Sequence, residues 1–153
     1  MRITSSSEYG TRIMVQLARA WGGGTLAAKD LAARENIPRD YVGQILVRLR
    51  RAGLVRSRLG TKGGYALSRD PSRIHMAEIV RAVEGEVFEE VCGKYTRGSA
   101  RCRHQDACGI RPVWVRLGLE VEAFLRGIPL TRLLEPERQV VQTLLGHPRI
   151  PTA

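Results

Sequence analysis

Residues 41–70 read "YVGQILVRLRRAGLVRSRLGTKGGYALSRD", and this stretch decides the fold. In its first half Tyr41/Val42, Ile45/Leu46 and Leu49 recur at three- and four-residue steps, the period of a helix with one buried face. Ala52-Gly53 ends that helix with a residue able to take positive φ. In its second half two extended pieces, Leu54–Arg58 and Tyr65–Leu67, flank the turn Gly60-Thr61-Lys62-Gly63-Gly64. That pattern predicts a β-hairpin.

Upstream, Tyr9, Ile13, Leu17 and Ala20/Trp21 predict an amphipathic helix from about Ser5 to Trp21, with Ser5-x-x-Glu8 as its capping box and "WGGG" (21–24) as its stop. A short helix follows in "LAAKDLAAREN" (26–36), with Leu26, Leu31 and Ala32 inward. Pro38 fits the first turn of the third helix, where a missing N–H costs nothing. Three helices and a hairpin in this order predict a winged helix-turn-helix domain, mainly α with a small β wing. A further helix spans about His75 to Glu84, with Ile79, Val80 and Val83 inward.

Beyond it, Pro112 opens a long helix in which Trp114, Leu117, Val121, Phe124 and Ile128 form a stripe two heptads long. Few helices remain to cover that stripe, so it is read as a dimer seam. Pro129 and "LTRLLEPERQVVQTLLG" predict a short terminal helical piece. The organisation expected is a DNA-binding domain at 1–85, a cysteine-containing sensor segment at 86–110, a dimerisation helix with a terminal helical segment at 111–146, and a disordered tail at 147–153.

The chain has 153 residues, a formal net charge of +10 and 43% hydrophobic residues, enough for one core and strongly biased toward an acidic partner. Residues 1–85 hold 15 Lys/Arg against 7 Asp/Glu, whereas 86–153 hold 10 against 8, so the anion-binding work falls in the first half. The absence of a long apolar run and of a signal-peptide core predicts a cytoplasmic protein without a membrane partner. Arg48, Arg50, Arg51, Arg56, Arg58 and Lys62 follow one another with no intervening acid. Cations also favour helix C-termini, yet this run continues across helix end, strand and turn tip. A surface of that kind lines a phosphate backbone. The recognition helix is then about Pro38–Arg51. Its early exposed positions Arg39, Asp40, Gly43 and Gln44 can face base edges, Gln44 suiting adenine and Arg39 suiting guanine or phosphate. Tyr41 and Thr61 complete the predicted DNA-contacting set. No nucleophile triad or paired carboxylates stand out, and "GTKGG" lacks the ending of a phosphate loop, so an enzyme is not expected.

At these residues, "MRIT…EYG", the 41–74 run and a cysteine segment followed by a long helix, the sequence resembles the IscR/NsrR-type winged-helix regulators of bacteria over residues 1 to about 135. The resemblance implies a homodimer on a palindromic operator in double-stranded DNA, with the long helix as its seam.

All three cysteines lie in "CGKYTRGSARCRHQDAC" (92–108), at spacings C-x9-C and C-x5-C. Those are too wide for the close pair of a structural zinc site. An odd count cannot pair completely as disulfides within one chain, and inert buried thiols belong in apolar segments rather than this basic one. An iron–sulfur cluster, 2Fe-2S or 4Fe-4S, suits thiolates in such a segment, with Lys94, Arg97, Arg101 and Arg103 offsetting its charge. The resemblance implies that Cys92, Cys102 and Cys108 are its ligands. The first spacing is four residues longer than the C-x5-C-x5-C of iron–sulfur members. The histidine that follows the last cysteine by three residues in one branch is here Arg111. In another branch an acidic residue before a tyrosine in the first helix reaches the cluster, and Glu8 before Tyr9 matches that position. Glu8 as ligand stands against Glu8 as cap, with His104 as the competing fourth ligand. The expected function is a transcriptional repressor whose operator affinity follows the state of the cluster. The alternative is a regulator of the same fold controlled by cysteine oxidation or a protein partner.

Overall fold

The computed structural model describes residues 4–60, 63–85 and 109–146. Thr61, Lys62, Cys92, Cys102, His104 and Cys108 lie outside the described residues, as do most of the sensor segment and the tail from 147.

Helix α1 (Ser5–Arg19) is capped by Thr4, whose side chain accepts the Ser6 N–H at 3.2 Å. This corrects the Ser5–Glu8 capping box. Thr4 has the extended backbone a cap requires and Ser5 is already helical, so the hydroxyl one residue earlier takes the role. The Glu8 carboxylate instead meets Arg12 one turn on, at 3.3 Å. The helix stops at Arg19, two residues before Trp21, and Gly22 and Gly24 take positive φ in the turn that follows. Helix α2 (Ala28–Glu35) closes on Asn36 in the left-handed region, φ 52°. Pro38 is the N-cap of α3 (Arg39–Arg51) rather than its first residue, and Gly53 follows at φ 72°.

The hairpin pairs β1 (Val55–Arg58) with β2 (Gly64–Leu67) antiparallel, in the register Val55↔Leu67 through Arg58↔Gly64. A bridge between Leu26 and Tyr65, with N–H···O distances of 2.9 and 2.8 Å, fastens the wing to the chain entering α2. Gly64 is demanded by that bridge, because a β-carbon there would sit 2.6 Å from the Leu26 carbonyl oxygen. Gly64 of "GTKGG" thus serves strand approach, while Gly60, at φ 109°, serves the turn.

After a 3₁₀ turn at Pro71–Arg73 comes α4 (Met76–Glu84), with His75 at its N-cap donating its N–H to Glu78 Oε2 at 3.0 Å. Ala77, Ile79 and Val83 are buried, while Val80 is half-buried. Helix α5 (Ile110–Arg126) carries Pro112 in its first turn. A 3₁₀ turn at Leu130–Leu134 and α6 (Glu137–Leu145) follow.

One apolar cluster joins Ile13, Met14 and Leu17 of α1 to Leu31, Ile45, Leu46, Leu49, Leu67 and Ile79. Burial of each such side chain contributes about 1.5–3 kcal/mol. Ile128, the last member of the sequence stripe, lies beyond α5 and is buried, its carbonyl accepting the Met76 N–H at 2.9 Å. Gly118 is the buried residue of α5, and Arg81 of α4 pairs with Glu122 alongside it. Arg126 and Arg81 hold the Glu122 carboxyl below the usual carboxylate range.

Candidate nucleic-acid interface

At 3.6 residues per turn, Gln44, Val47 and Arg51 project within about 40° of the direction of Asp40. All four are exposed, and the opposite side of α3 carries the buried Val42, Ile45, Leu46 and Leu49. These outward residues, with Arg39, Gly43 and Arg48 of the same helix and Ala28 of α2, line a shallow concavity. Arg50 reaches from the end of α3 toward Ser57 of β1, at 3.5 Å, linking recognition helix and wing. Arg56 and Arg58 border a second hollow beside Trp21, Gly22 and Thr25.

The electrostatics of this face follow from where the acids are used. Glu35 accepts from Arg12 Nε at 2.8 Å and from Gln16, which raises the Arg12 pKa. Glu78 is paired with Arg69, and Glu84 accepts two donors of Ser7 and one of the N-cap Thr4. Arg39, Arg51, Arg56 and Arg58 have no acidic partner among the described residues, and Asp40 is the acid on the concavity. The positive charge left over therefore concentrates on α3 and β1.

Two of the predicted contact residues also make bonds within the fold. The Tyr41 hydroxyl lies 2.9 Å from Ser6 Oγ, and its ring packs edge-on to Tyr9 at 5.5 Å. Arg48 Nη1 donates to the Val83 carbonyl of α4 at 2.6 Å, so its guanidinium braces a helix end. Tyr41 and Arg48 thus tie α3 to its neighbours, and Arg48 lines the concavity with Arg39, Gln44 and Arg51, joined by Arg50 at the wing.

Two residues with a bearing on function escaped the sequence reading. Val47 reads as one more apolar residue in a helix, and only its place off the 42/45/46/49 face marks it as outward. Glu84 reads as a helix-end acid. Its Oε1 in fact accepts the Ser7 N–H and hydroxyl at 3.0 and 2.8 Å, together with the Thr4 hydroxyl. Gly10, one turn further along α1, lies so close to α4 that a β-carbon would be 2.9 Å from Val83 Cγ1. The last turn of α4, directly before residue 86, is therefore bonded to both α1 and α3.

Glu8 is 58% exposed at its side chain and paired only with Arg12 among the described residues. Among those residues no three His, Cys, Asp or Glu converge on a point. Three thiols in the sequence and an accessible carboxylate are of the donor types an iron–sulfur cluster takes. Among the described residues no helix is long and apolar enough to cross a membrane.

A three-helix core with an outward polar and basic recognition helix beside a two-stranded wing defines a winged helix-turn-helix protein. Residues 3–136 match the Rrf2 family, described as an iron-dependent transcriptional regulator, and the chain belongs to that family. It is a transcriptional regulator and not an enzyme. The HTH-type transcriptional regulator IscR of Xenorhabdus nematophila is 34% identical over 135 residues, 88% of this chain and 80% of its own length. The structure of IscR from T. potens superposes with a TM-score of 0.71 at 29% identity, covering 96% of this chain and 97% of that one. CymR, the global cysteine regulator of B. subtilis, gives 0.69 at 29% identity, covering 87% and 95%.

Removing one phosphate-facing cation should weaken binding to all DNA sequences alike. Arg58→Ala is expected to lower affinity uniformly and to reduce the slope of log affinity against log salt by about one. A slope equal to that of the parent protein would exclude Arg58 from the interface.

Proposed function

We propose that the chain is a homodimeric repressor that binds a palindromic operator and whose affinity is set by an iron–sulfur cluster held in the 92–108 segment. Cys92, Cys102 and Cys108 would hold the cluster, with Glu8 as the fourth ligand and His104 as its competitor. When bound, such a cluster supplies a centre that oxidants or nitric oxide can alter, changing the charge and fold of the segment around it.

The observation that carries this reading is the fastening of the last turn of α4. Arg48 of the recognition helix holds the Val83 carbonyl, and Glu84 holds the start of α1. The sensor segment begins two residues later, so a change in how it pulls on Gly85 bears directly on α3. Two recognition helices must sit about one DNA turn apart, and a small rotation of either weakens both contacts together. The exposed apolar side of α5 supports a second copy as the partner that sets this spacing.

Anaerobic purification tests the cofactor. The expected product is brown, with visible absorption and stoichiometric iron and sulfide, and Glu8→Ala is expected to shift its spectrum while leaving the thiol ligands in place. Colourless, iron-free protein would remove the cluster and favour control by cysteine oxidation or a protein partner. An unchanged Glu8→Ala spectrum would pass the fourth position to His104.

A further inference from the structure

The outward face of α3 holds one feature that phosphate binding does not need. Val47 is 37% exposed and stands near the centre of that face, flanked by Asp40, Gln44 and Arg51. A β-branched apolar side chain there has no place in the core, which is filled from the opposite side by Val42, Ile45, Leu46 and Leu49. One turn earlier on the same line is Gly43. Nothing lies within 4 Å of the position its β-carbon would take, so packing does not impose glycine there. Glycine also costs a helix interior about 1 kcal/mol relative to alanine. Its effect on the surface is to leave open space beside Val47, in a concavity that Ala28 of α2 also lines. The result is a small apolar notch in a polar, basic wall.

In a major groove the one base-edge group that is apolar is the 5-methyl of thymine. We infer that Val47, with Gly43 and Ala28, forms a notch that reads the 5-methyl group of one thymine in each operator half-site. Neighbouring side chains extend the readout. Gln44 is placed to hydrogen-bond an adjacent base, and Asp40 disfavours close approach of a base edge that offers only acceptors. This inference rests on α3 entering the groove as proposed above.

The test uses the full-length protein and duplexes it selects from a randomised pool. Each thymine of the selected site is replaced singly by deoxyuridine, which removes only the methyl. At one position per half-site affinity should fall about fourfold, the effect of exposing one buried methyl-sized group. Val47→Ala should bring that ratio close to one at the same position and leave the other positions unchanged. Gly43→Leu, which fills the notch, should do likewise. Both sites are free of core packing, and unchanged melting temperatures would verify that the variants fold. The inference is overturned if no thymine is methyl-sensitive, or if the sensitivity survives Val47→Ala undiminished. Selection of no duplex at all would overturn the DNA-binding reading along with it.

Discussion

Leu117→Glu combined with Phe124→Glu should convert the protein to a monomer and lower operator affinity by about a hundredfold or more. Leu117 and Phe124 are 40% and 58% exposed, and with Ile110, Val113 and Trp114 they occupy one arc of α5. The helix buries Gly118, and the side chains of this arc are exposed. In the homodimer proposed above, this arc would be the seam. Two glutamates facing their symmetry mates there would be desolvated beside like charge. Neither side chain touches the core, so circular dichroism should stay that of the parent. Sedimentation equilibrium reads the result, and a persisting dimer would place the seam elsewhere.

Glu84→Ala is the second change with a large expected effect, about 2 kcal/mol of stability or roughly 4–8 °C in melting temperature. It leaves the Ser7 amide and hydroxyl, together with the Thr4 hydroxyl, without their acceptor, and Ser7 is only 8% exposed. A buried donor left unsatisfied costs more than the bond it made was worth. Glu84→Gln retains an acceptor oxygen without its charge and should fall between. Thermal denaturation within a degree of the parent protein for Glu84→Ala would show that α1 does not depend on this carboxylate.

Most of the architecture could be read before the structure, and the reason is physical. The apolar steps in α1, α3 and α4 are set by helical period, and the hairpin by turn chemistry, both local in sequence. The elements of the winged domain fell within one or two residues of their predicted ends, and the misplaced cap of α1 has a plain cause. A cap is chosen by backbone conformation, so neighbouring hydroxyls such as Thr4 and Ser5 cannot be told apart from residue type. The candidate interface was legible in part. The exposure of Arg39 and Gln44 followed from their early place on the helix and that of Arg51 from the basic run. The further bonds of Tyr41 to Ser6 and of Arg48 to the Val83 carbonyl were not legible, because their partners lie 35 positions away in each case. Glu84 and Ser7, separated by 77 positions, are likewise joined only by the fold. Val47 escaped because an apolar residue announces burial, and its exposure depends on what the neighbouring helices leave open.

The bond from Arg48 to Val83 has a consequence that runs in the opposite direction. Coupling between two binding events is reciprocal: the factor by which one changes the affinity of the other is the same both ways. If the state of the segment beyond Gly85 alters the grip on an operator, then sitting on the operator alters that state by an equal factor. A regulator built this way would hold its cofactor differently at its target than in free solution, and the DNA would itself become one of the ligands that tune the sensor.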